Sequence, residues 1–151
     1  MDASAVIVEA HAELERLFAA YEGTDGGATA RRRTLGAIAG ALGVHATLEG
    51  EVLYPALQAQ TSRYDGDIRR QLEQAHMIDL LAVELAAMAP TDPCFDAKVQ
   101  VLRQVFRLHV RDEEALILPE VRRRLGAAER QQLGDALRER AEQLSGRRRR
   151  G

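Results

Sequence analysis

At 151 residues, 46% hydrophobic and 29% charged, the chain has the size and composition of one soluble globular domain with a sizeable core. A net charge of −2 gives no support for a nucleic-acid partner, no apolar run approaches the length of a membrane span, and the start of the chain lacks the basic and apolar regions of a signal peptide. Cys94 is the only cysteine, which excludes an intrachain disulfide and fits a reducing, cytoplasmic setting.

The spacing predicts a first helix over 4–21, with Ser4 as its N-cap and Gly23, Gly26 and Gly27 ending it. Its apolar stripe reads Ile7, His11, Leu14, Phe18 and Tyr21. A second helix is predicted over 29–60, with the stripe Leu35, Ile38, Leu42, His45, Glu49, Val52 and Ala56. Pro55 removes a backbone donor there and should distort the helix near Glu51. The glycines at 36, 40, 43 and 50 suggest a bend or a closely approaching neighbour. A third helix over 65–88 carries Ile68, Leu72, His76, Leu80 (or Asp79), Val83 and Ala87. A fourth over 96–125, interrupted by Pro119, carries Val99, Leu102, Phe106, His109, Glu113 and Leu116. A shorter fifth, 128–144, has Leu133, Leu137 and Leu144. No segment alternates as a strand does. The expected fold is all-α, an up-down-up-down four-helix bundle with a short C-terminal fifth helix. Residues 1–145 form one domain in this reading, and 146–151 a disordered basic tail.

Two stretches nearly repeat. Residues 45–55 read His-Ala-Thr-Leu-Glu-Gly-Glu-Val-Leu-Tyr-Pro, and 109–119 read His-Val-Arg-Asp-Glu-Glu-Ala-Leu-Ile-Leu-Pro. Residues four apart on a helix point the same way. His45 with Glu49, and His109 with Glu113, therefore each offer an imidazole and a carboxylate to one side. One histidine on an apolar stripe is ordinarily a core residue. Here each of four helices carries one (His11, His45, His76, His109), together with two glutamates that burial alone would not tolerate. That set describes a metal site. It has too many donors for one structural zinc and no thiolate, so it suits two iron ions, with manganese as the competitor. Ferritin-like sites place Glu before His at a spacing of three, which this chain does not.

The order His, His-x-x-x-Glu, His, His-x-x-x-Glu over residues 4–125 resembles the hemerythrin-like family in its HHE-type cation-binding form. The resemblance implies two non-haem iron ions, bridged by an oxo or hydroxo group and by Glu49 and Glu113. His11 and His45 would serve one iron, and His76 and His109 the other. Oxygen carriers of that family have a second histidine one turn from the helix-three histidine. This chain has Leu72 and Leu80 there, which leaves one iron short of a ligand. The carriers also place an aspartate five residues after the helix-four histidine. Glu113 and Glu114 are both available here, and Glu113 matches the offset of Glu49 from His45.

Tyr54 is a candidate catalytic residue for the vacant position. On an ideal helix it lies about 140° from Glu49, and Pro55 is the feature able to turn it inward. Asp79 and Gln74 are candidate partners for imidazole N–H groups. A ligand-poor diiron site implies reaction with small oxidants (H2O2, NO, O2) in an oxidative or nitrosative stress response, with a catalase-like or NO/peroxide-reactive activity as the candidate chemistry. The alternative is an O2- or iron-responsive sensor or carrier without turnover. Small diatomic or peroxide ligands are the expected partners, with no nucleic acid and no membrane.

Overall fold

The computed structural model describes residues 1–148, and among these every regular element is helical. Helix α1 spans Ala3–Glu22 and α2 spans Gly27–Leu48. The α2 axis continues through a π-helical turn, Glu49–Leu53, into α3, Tyr54–Gln58. Helix α4 spans Asp65–Ala87. Helix α5, Phe95–Asp112, likewise runs through a π-helical turn, Glu113–Ile117, into α6, Leu118–Arg124. Helix α7, Ala127–Arg148, lies along α1 and α2. The first four rods form the bundle, with α1 beside α2, α2 beside α4, and α4 beside α5. No described helix is long and apolar enough to cross a membrane.

The first cap differs from expectation. Asp2, not Ser4, accepts the hydrogen bond from the Ala5 backbone N–H, at 3.1 Å, and Ser4 turns into the core with its hydroxyl unpaired. The last helix continues past Gly146 to Arg148, and the rest of the expected tail, 149–151, lies outside the described residues. Gly134 lets α7 rest on the start of the chain, because a Cβ there would overlap the backbone at Met1. Gly36 and Gly50 have ordinary room for a Cβ, so no close neighbour explains those two.

Both π-helical turns sit where a proline follows. Pro55 has no N–H to offer the Glu51 carbonyl four residues back, and Tyr54 N–H instead reaches the Glu49 carbonyl five residues back. Leu118 does the same toward Glu113, ahead of Pro119. Each turn holds one extra residue and moves the inward stripe by one position. Leu53 and Leu57 are buried where Val52 and Ala56 were expected, and Ile117 where Leu116 was expected.

Helix α4 departs furthest from its predicted face. Ile68, Gln71, Ile78 and Leu85 face inward, while Leu72, Leu80 and Val83 are exposed. The expected stripe followed steps of four from Ile68, and each such step drifts about 40° round the helix. The true stripe advances by seven from Gln71, a polar residue that hid it.

The core has two apolar halves. One gathers Ile7, Leu53, Leu57, Ile68, Ile117 and Leu137 near α7. The other gathers Phe18, Ile38, Leu85, Phe95, Leu102 and Phe106 toward the far end. Every rod of the bundle passes from one half to the other. The residues it carries at the crossing are the polar ones.

Candidate metal centre

The crossing layer holds His11 from α1, His45 from α2, Glu49 and Glu113 from the first residues of the π-helical turns, and His109 from α5. All five are at most 4% exposed. One donor atom from each of His11, His45, Glu49 and Glu113 can be chosen so that all four lie within 4.8 Å of one another. His11 Nε2 is 3.0 Å from Glu113 Oε2, and His109 Nε2 is 3.1 Å from both oxygens of Glu49. His109 Nε2 also lies 4.0 Å from Glu113 Oε2. His45 Nε2 lies 2.5 Å from Glu49 Oε1, yet the pair is not aligned as a hydrogen bond. The His11 and His45 rings meet edge to face, 4.8 Å between centroids, and Phe106 closes the layer on the side of the second core.

The electrostatics follow from burial and crowding. Burial opposes ionisation of Glu49, but His45 and His109 beside it outweigh that and hold its carboxyl well below the usual range. Burial raises the Glu113 carboxyl, and the nearby charge of Glu49 adds to it. Burial disfavours charge on His11, but Glu113 and then Glu114 overcome it and raise its pKa. His109 is raised as well, its burial outweighed by Glu49. The metal-free cluster therefore retains protons that a cation must displace.

Tyr54 reaches this layer. It is 2% exposed, and its hydroxyl has no hydrogen-bond partner. Burial, and next the charges of Glu49 and Glu113, push its pKa far up. The π-helical turn explains the placement: a hydrogen bond between residues five apart brings Tyr54 nearly in line with Glu49, where an α-helix would turn it 140° away.

Two neighbours orient the histidines. Glu114 accepts from His11 Nδ1 at 2.8 Å, so the adjacent glutamates divide the work, with Glu113 inside and Glu114 behind the ring. Gln71 stands behind His109. With its amide turned so that both ends pair, its nitrogen donates to His109 Nδ1 at 2.7 Å and its oxygen accepts from the Glu113 backbone N–H at 3.2 Å. The sequence reading missed Gln71, whose only signal was its heptad spacing to Ile78 and Leu85.

His76 is not in the layer. It lies on the exposed face of α4, about 140° round the helix from Gln71, so the structure does not bring it to the other five ligand candidates. Asp79 is exposed, and Gln74 bonds Asp112 at 3.0 Å rather than a histidine.

The donors suit a cation. His45 Nε2, Glu113 Oε1 and the Tyr54 hydroxyl are all buried and unpaired. Each such atom costs about 1–3 kcal/mol, and coordination removes that cost. Imidazole nitrogens with carboxylate and phenol oxygens, and no thiolate, form a set for a borderline transition metal.

Comparison with known proteins agrees with this site. Residues 2–121 match the family model described as Hemerythrin HHE cation binding domain. A hemerythrin HHE cation binding domain-containing protein from Mycobacterium kansasii superposes with a TM-score of 0.84 at 22% identity, covering 97% of this chain and 88% of that one. A DNA nickase from Nostoc sp. (strain PCC 7120 / SAG 25.82 / UTEX 2576) is 29% identical over 91 residues, 60% of this chain. The chain matches 25% of the length of that relative. With four-fifths of its length under the family model and a buried His/Glu cluster inside that span, the chain belongs to the hemerythrin HHE cation-binding domain family.

Proposed function

We propose that this is a non-haem diiron protein that reacts with small oxidants, hydrogen peroxide first among them, in an oxidative or nitrosative stress response. The observation that carries the reading is Tyr54. A buried phenol with an unpaired hydroxyl stands beside two carboxylates, on a site to which α4 brings a glutamine in place of a histidine. A carrier needs a saturated site that keeps its ligand unchanged. This one has a buried hydroxyl without a hydrogen-bond partner among its donors.

His11, His45, His109, Glu49 and Glu113 would hold the metal, with Tyr54 beside the two carboxylates. Bound iron would supply redox equivalents and Lewis acidity. The chain's own residues orient and shelter. Gln71 and Glu114 fix the His109 and His11 rings from behind. Phe106 and the two apolar halves keep bulk water out of the layer. The raised pKa of Tyr54 keeps its proton in place, so the hydroxyl is a hydrogen-bond donor toward a guest beside Glu49 and Glu113.

The test is steady O2 evolution from H2O2 added to iron-loaded protein, lost in His45→Ala. A stable, reversible oxygenated form with no turnover would make the protein a carrier instead.

A further inference from the structure

One cavity reaches the metal layer from outside, along the seam between α2 and α4, with a volume of about 40 Å³. Its walls are small side chains, Gly43 on α2 facing Ala75 and Ala82 on α4, and its inner end is His45, Glu49 and His109. Asp79 lines it from the exposed side of α4. The small residues alone say nothing of a ligand. The independent observation is His45, which is 4% exposed and has neither ring nitrogen in a hydrogen bond. Its Nε2 lies against Glu49, so Nδ1, across Cε1 from it, is the nitrogen left for whatever fills the seam that His45 lines. A metal-binding imidazole ordinarily gives its second nitrogen to a carboxylate or carbonyl. Glu114 serves His11 in this way, Gln71 instead donates to His109 Nδ1, and among the described residues none pairs with His45 Nδ1.

We propose that the α2–α4 seam is the access path of the site, that it admits a small neutral molecule of hydrogen peroxide size, and that His45 Nδ1 is the group that receives it. Size comes from the volume. A water needs about 10–15 Å³ of such space, so the seam takes about three or four heavy atoms and admits a molecule of two. Charge comes from the lining. Glu49 and Asp79 are its ionisable acids and no lysine or arginine lines it, so azide, nitrite or superoxide would enter against like charge. Peroxide both donates and accepts, which suits an imidazole at one end and an acidic side chain at the other.

This rests on the proposed function only for the identity of the guest, and its test separates the two. Crystals of metal-free protein under xenon pressure should show xenon in the seam beside Ala82. An empty seam overturns the proposal with no variant needed. In iron-loaded protein, Ala82→Phe should slow the reaction with peroxide about tenfold or more at unchanged iron content and unchanged helical circular dichroism. Asp79→Asn should raise the rate of azide binding relative to that of peroxide, and an unchanged ratio of the two rates overturns the charge selection. A wild-type rate in a folded, fully loaded Ala82→Phe protein overturns the access path, even if turnover itself is confirmed. Xenon in the seam of a protein that never reacts with peroxide leaves the path standing and removes the functional reading instead.

Discussion

The two near-repeated stretches, 45–55 and 109–119, use one backbone device for two different ends. Each places a histidine, enters a π-helical turn at the glutamate four residues later, and closes with a proline. The backbones match, so the differences lie in side chains. The residue before the proline is Tyr54 in one and Leu118 in the other, both buried. The first stretch thus delivers a hydroxyl to the layer and the second only a hydrocarbon. The histidines differ as well: His109 is held by Gln71 and Glu49, whereas His45 lies against Glu49 with neither ring nitrogen in an aligned hydrogen bond. So do the carboxyls, since burial with the Glu49 charge raises the pKa of Glu113, while His45 and His109 outweigh burial and lower that of Glu49. One half of the site is held by neighbouring side chains and the other keeps buried polar atoms without hydrogen bonds.

Glu49→Ala should break this arrangement most severely. Loss of an outer partner of a metal ligand weakens binding about 10–100-fold, and loss of this shared carboxylate should exceed that in a metal titration. Without metal the two glutamates should separate: Glu49→Ala lowers the melting temperature, because it leaves His109 Nε2 without its partner, and Glu113→Ala lowers it less. Gln71→Leu comes next. It removes the support of the fixed half, at a cost of about 1–3 kcal/mol in chemical denaturation and about 10–100-fold in metal affinity.

Tyr54→Phe sharpens the contrast by making the first stretch as apolar as the second. The hydroxyl is buried and unpaired, so its removal should stabilise the metal-free protein by about 1 kcal/mol, while peroxide turnover falls. A pH series tests the shared protons. His11 and His109 have raised folded values, so the stability they lend is complete below the unfolded value of about 6.5 and is lost as pH rises through the folded one. Glu113 is also raised and acts in the same sense from about 4.3 upward, while Glu49 is lowered and lends stability that is lost only as pH falls. Metal-free protein should therefore melt lower at about pH 8 than at about pH 6.5. The gain on metal loading should widen over the same range, because the donors bind metal only when deprotonated. The smallest effect belongs to His76→Ala, an exposed change expected to stay within about 0.5 kcal/mol and to leave metal content unaltered.

Much of this was legible in the chain because spacing of four is a helical fact that holds up to the first residue of each π-helical turn. His11, His45, Glu49, His109 and Glu113 all precede or begin those turns, and all five are buried on the face that the spacing gives them. Past them the same arithmetic fails by one residue, which is why Val52, Ala56 and Leu116 were expected inside and Leu53, Leu57 and Ile117 are found there. Pro55 and Pro119 signalled a distortion but not its kind. On α4 the inward residue at the level of the site is polar, so a hydrophobic count slid to the neighbouring face and took His76 with it. Glu114 could not be told from Glu113 by spacing. The burial of one and the hydrogen bond of the other to His11 separate them.

The central claim is that the polar layer between the two apolar halves holds two iron ions. Iron counted per chain, on protein produced with iron and freed of loosely bound metal, tests it most directly. About two iron per chain, falling below one in Glu49→Ala and unchanged in His76→Ala, is the predicted result. Fewer than about one iron per wild-type chain would contradict the account.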